Sequence, residues 1–172
     1  MNLNIKHWQK LFLFCAGLFI AATFCMKWME GDLQANGKKF TIMGLELFYT
    51  RETVMSILAG LDDRVRTILG YHLHFDFVFM AAVFPGVAAL CMIARAKATG
   101  SVRRLFFILA VLQLAAWSAD IYENLSLLTW MNGPIAGNEF ARYHFIVASK
   151  WIIVVAGALV SVTGLLFFRK KN

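Results

Sequence analysis

The chain holds three cysteines, Cys15, Cys25 and Cys91, and no two of them form a C-x-x-C pair. That spacing leaves thiol-redox and zinc-ribbon chemistry without a ligand set, and each cysteine reads as a small buried hydrophobe. Proline occurs only at Pro85 and Pro134, so little in the sequence breaks a long helix. There is no G-x-S-x-G turn, which leaves acyl-enzyme chemistry without its usual nucleophile. No internal repeat and no low-complexity tract is visible. Charge is also scarce: Asp, Glu, Lys and Arg make up 16% of 172 residues, against about 25% in soluble domains.

What fills the space is apolar. Hydrophobic residues make up 60% of the chain, and they come in four runs of spanning length, about 20 residues each. The runs cover approximately 11–28, 72–93, 105–131 and 143–168. They predict an all-α fold, a polytopic membrane protein with four transmembrane helices in one bundle, forming a single membrane domain over 1–172. The first run follows Lys6 and Lys10 as a secretory signal would. Phe24, Cys25 and Met26 stand where small residues are needed for cleavage, so a retained helix is predicted.

The net charge of +7 resembles a nucleic-acid signal until it is mapped. Lys6, Lys10, Arg95, Lys97, Arg103, Arg104, Arg169, Lys170 and Lys171 all fall on one side of the runs, with no acid among them. The other side is balanced. This bias predicts a multi-pass protein of the cell membrane, here the inner membrane of a bacterium, with both termini cytoplasmic. Its partners are then the lipid bilayer and no nucleic acid. A homo-oligomer or a partner membrane protein is compatible with the small-residue faces, but nothing specifies either.

Residues 31–70 form the one long outer loop. Phe40, Ile42, Leu45 and Leu47 alternate and predict a short hairpin over Lys39–Tyr49. Beyond it, Val54, Ile57, Leu58 and Leu61 follow helical spacing after Thr50, an N-cap residue. This predicts an amphipathic helix on the outer interface or across the end of the bundle. Asp62 is a second N-cap from which a helix can run directly into the second span. Pro85 predicts a kink in that span, and Gly100 a break before the third. Glu46, Glu52, Asp62, Asp63, Arg64 and Arg66 read as a solvated loop surface.

The informative residues are polar ones inside the runs. Asp120, Glu123 and Asn124 lie in the third span, and Gln113, Trp117, Asp120, Asn124 and Leu127 share one helix face. Lys150 shares a face of the fourth span with Gly157, Ser161 and Gly164, residues small enough for close helix approach. Asp76 and His72 share a face at the entry of the second span. At 1.5 Å per residue, Asp76, Glu123, Lys150 and Asp120 lie roughly 8–15 Å below the outer boundary. Ionisable groups at that depth cost about 2.5–3.5 kcal/mol each and need partners.

Asp76, Asp120, Glu123, Asn124, Lys150 and His72 therefore predict an outward-opening polar site. It would bind or transport a proton, a cation or a lipid-type ligand. An alternative is an intramembrane enzyme acting on a lipidic substrate, with Glu123 or Asp120 as acid or base and Lys150 stabilising negative charge. A second alternative is a structural or assembly subunit whose charges fix helix register. His72, His74, Asp76 and His144 are the candidate metal ligands, with zinc or iron the ions that suit them. No two histidines lie at matched depth, as a haem between spans requires, and the sequence names no cofactor.

The D-x-x-E-N of Asp120, Glu123 and Asn124 resembles a motif of an uncharacterised family of bacterial four-helix integral membrane proteins. Ser149-Lys150-Trp151 and the aspartate at Asp76 are similar too. The resemblance implies four helices and brings no activity.

Overall fold

In a computed structural model, residues 5–169 are described, without the side chains of Phe168 and Arg169. Lys170 and Lys171, and the side chain of Arg169, lie outside the described residues. The chain is mostly helical (84%). Four helices are long and apolar enough to cross a membrane: α1 (Ile5–Glu30), α3 (Asp63–Lys97), α4 (Gly100–Trp130) and α5 (Glu139–Arg169). A short helix, α2 (Arg51–Ala59), and a π-helical turn at Gly44–Phe48 lie between α1 and α3.

The helices run past the apolar runs that announce them. The second begins at Asp63, not near residue 72, because the Asp62 side chain caps it by accepting from the Val65 N–H at 2.7 Å. The loop thus ends at Asp62. Helix α3 continues without interruption through Pro85. Gly100 does not separate the helices. It starts α4 with φ +56°, and Ala98 and Thr99 make the connection.

Helix α3 is the hub, packing against α1, α4 and α5, and α4 also packs against α5. On α4 the buried residues are Phe106, Leu109, Gln113, Ala116, Asp120, Glu123, Leu127 and Trp130, with Asn124 beside them. Apart from Asn124 they are spaced alternately by three and four, the seam of a coiled coil. Tyr143, Val147, Lys150, Gly157 and Ser161 keep the same phase on α5 and are also buried. Close approach depends on the glycines of this seam. A Cβ on Gly157 would lie 2.7 Å from the Gln113 amide nitrogen, and one on Gly164 2.5 Å from the Phe106 ring. A third close approach is at Gly86, where a Cβ would meet that of Cys15 across the α1–α3 contact at 3.0 Å.

The segment between α1 and α3 closes one end of the bundle. Asn36 and Gly37 both have positive φ, at 53° and 74°, and turn a two-residue hairpin that pairs Ala35 with Lys38 and Gln34 with Lys39. The hairpin therefore lies earlier than the alternation over Lys39–Tyr49 indicates, and that stretch coils instead into the π-helical turn. Thr50 caps α2 by accepting from the Thr53 N–H. Helix α2 buries Val54 and Leu58 in a core that also holds Leu33, Leu45, Leu69, Leu127, Tyr143 and Val147. Two arginines fasten the cap to the α4–α5 turn: Arg51 donates to the Ile135 carbonyl at 2.7 Å, and Arg66 donates to that of Met131. Arg66 is accordingly half-buried, not part of a solvated surface.

Gly164→Ala should destabilise the protein by about 1–3 kcal/mol, the usual cost of overpacking, because the buried Phe106 ring must move. Thermal unfolding in a mild detergent would show this, and Gly17→Ala, which meets nothing within 4 Å, is the matched control.

Candidate functional site

Just beneath the cap, α3, α4 and α5 bring most of the predicted polar residues together. Lys150 is 4% exposed and lies among three carboxylates. Its Nζ donates to Asp120 Oδ1 at 2.7 Å and to Glu123 Oε2, and is 3.9 Å from Glu46 Oε2. Asp120 and Glu123 face it together because they are three residues apart on one helix. A buried ammonium must be paired, and here it is enclosed by acceptors on three sides.

Glu46 is the member that sequence reasoning missed. It is buried (9% exposed) and not solvated, and it accepts a 3.0 Å hydrogen bond from the Trp151 indole N–H. Burial pushes its carboxyl above the ordinary glutamate range, and the Lys150 ammonium partly opposes the rise. The signal was present in the sequence: Glu46 is the only charge in Phe40–Tyr49, an otherwise largely apolar stretch.

Asp76 is a neighbour of this cluster without belonging to its ion pairs. Asn124 Nδ2 donates to Asp76 Oδ2 at 2.5 Å. Among the described residues, no Lys, Arg or His nitrogen lies within 4.0 Å of its carboxylate. His72 is 1% exposed, and neither ring nitrogen has a hydrogen-bond partner.

The proposed metal ligands do not converge. His74 is exposed, its Nδ1 2.7 Å from the Gly70 carbonyl oxygen of its own helix. His144 stacks on Phe140, with ring centroids 5.5 Å apart. His72 and His74 are two positions apart, so the helix sends their rings to different sides. Among the described residues, no group of three or more His, Cys, Asp or Glu is arranged to hold a metal ion.

A cavity of about 540 Å³ lies alongside the cluster, between α1, α3 and α5. Glu46, His72, Asp76, Asp120 and Lys150 line it, with Lys27 and Glu30 of α1. Apart from Thr23, the rest of the wall is apolar and includes Phe12, Phe19, Phe79, Val83, Leu90 and Ala158. From His72 to Leu90 it follows α3 for roughly 27 Å. Its volume falls within the range of about 300–1,000 Å³ typical of small-molecule sites. Polar groups are thus gathered at one end of a long apolar space.

The fold and site define a helical bundle, four of whose helices are long and apolar enough to span a membrane, with a charge cluster between its helices. Comparisons with protein-family models, curated proteins and solved structures found no match.

Two outcomes test this geometry. Lys150→Met should cost about 3–5 kcal/mol, since it strands buried carboxylates, and adding Glu123→Gln should return part of the loss. Unfolding of the single and double variants measures both. Glu46 adds a pH effect. A carboxyl whose pKa is higher in the folded state holds its proton more tightly there, so stability falls as pH rises from about 4.3, the unfolded value, to the folded value. Glu46→Gln should flatten this part of the stability–pH curve and still accept from Trp151.

Proposed function

We propose that this is an integral membrane protein that binds a lipid-type ligand in the cavity beside α1, with the ligand's polar end at the charge cluster. The observation that carries this reading is the cavity itself: a long apolar wall with Glu46, His72, Asp76, Asp120 and Lys150 at one end. An amphiphile has the same division. A free ion would leave the apolar length empty, and a purely apolar molecule would leave the polar end unpaired.

Membrane residence is supported by the outward faces of the long helices. Phe14, Ile20 and Phe24 of α1, Leu114 of α4, and Phe145, Ile152 and Leu159 of α5 are each more than 60% exposed. Apolar exposure on this scale suits contact with lipid. The basic residues at the far end from the cap support an orientation with both termini cytoplasmic and the cap outside. On that reading the cluster lies in the outer half of the bilayer. Toward the inner side, the buried polar residues among those described are Gln113 and Ser161, the hydroxyl of Ser161 donating to the Cys91 sulfur at 3.1 Å. This favours binding from the outer side over a polar path through the bundle.

The buried charges divide the work. Lys150 and Glu123 are closed in by their partners and serve chiefly to hold α4 against α5. Asp76 and His72 have unused capacity beside the cavity and face the ligand.

Ligand binding should raise the unfolding temperature by mass action. Purified protein in neutral detergent should gain stability on titration with a total extract of its host membrane lipids. Ala158→Trp, which fills the apolar length and leaves every charge in place, should abolish the gain. An equal gain in the variant, or no gain in the wild type, contradicts the reading.

A further inference from the structure

We propose that the ligand's head group is cationic, an alkylammonium, and that Asp76 is its counter-charge; this rests on the cavity being a lipid-type site, as argued above. The charges around the polar end do not balance. Glu46, Asp76, Asp120 and Glu123 bring four carboxyls, and Lys150 brings one ammonium, itself already engaged by three of them. Lys27 and Glu30, at the cavity's edge, pair with each other and add no net charge. Asp76 is left with an amide donor, Asn124, and, among the described residues, no cation within 4.0 Å. A carboxylate held this way in an apolar wall favours a positive group within a few ångströms, where the low dielectric strengthens the attraction.

His72 provides the second, independent observation. It lines the cavity, is 1% exposed, and has no partner at either ring nitrogen. It lies four positions before Asp76, about one helical turn, so both side chains flank the same stretch of wall. A neutral imidazole has one lone pair to offer. An ammonium has three N–H donors: one can go to Asp76 and one to His72, which satisfies two groups that otherwise lack complements. An anionic head would meet three cavity-lining carboxyls, Glu46, Asp76 and Asp120, against a lysine that is already neutralised. The apolar length below, lined by Phe79, Val83 and Leu90, takes the tail.

The test is calorimetric titration of the full-length protein in digitonin with probes that share one twelve-carbon tail. Dodecylammonium should bind about tenfold or more tightly than dodecanoate. Asp76→Asn should erase that preference and Asp76→Glu should keep it, which separates the charge from any effect on folding. Val83→Trp, which narrows the apolar length, should remove binding of both probes. Equal affinity for the two heads in the wild type would overturn the cationic head group and leave the cavity reading standing. Failure of the wild type to bind either probe would overturn both. Ethylammonium, the head without the tail, should compete poorly; competition equal to that of dodecylammonium would show that a small cation, not an amphiphile, is the ligand.

Discussion

Lys150 is the group on which the rest of the structure depends. Its ammonium lies nearly inaccessible between α4 and α5, and three carboxylates from two separate parts of the chain converge on it. Asp120 and Glu123 come from one face of α4, and Glu46 reaches it from the π-helical turn. One cation thus fixes the rotation of α4, the register of α5 and the seat of the cap. An apolar seam alone would allow these helices to slide by a heptad at modest cost, whereas a buried charge tolerates no such shift. The coiled-coil phase of α4 and α5 and the glycines at positions 157 and 164 make the approach possible, and the ion pairs select one arrangement of it.

That arrangement leaves the polar groups in excess. Where three carboxylates share one ammonium, a fourth has no ionic partner, and this is Asp76. It lies beside His72, on the wall of a cavity that α1 closes from the other side. Helix α1 packs on α3 across Gly86 and carries much of its apolar surface outward. The cavity is therefore a consequence of how the bundle is built: α4 and α5 are pinned to each other by charge, α3 packs against both, and the outer helix α1 packs on α3 but stands off α5.

Most of the bundle was legible in the sequence, because helices of spanning length come from long apolar runs and caps come from single residues. Thr50 and Asp62 announced the starts of α2 and α3. The meeting of Asp120, Glu123 and Lys150 followed from helical spacing and from the cost of leaving any of them alone. The failures were tertiary. Glu46 looked solvated because it sits in a loop, and only the fold carries that loop over the end of the bundle to Trp151 and Lys150. The Asn36-Gly37 hairpin had its turn signal in plain view, yet alternation a few residues later drew the strand to the wrong place. His72, His74, Asp76 and His144 looked like metal ligands by type, but helix geometry turns His74 away, and His144 stacks on Phe140. The cavity could not be read at all, since it depends on how far α1 stands from α3 and α5.

The most direct test of the account is native mass spectrometry of the protein taken from its own membrane in a mild neutral detergent. It predicts a single amphiphile bound to each chain, retained through desolvation and released as an intact species that can be fragmented and identified. A protein that emerges bare from every detergent tried, with its fold intact, would contradict the central claim. The charge cluster would then be a device for holding the helices together and nothing more.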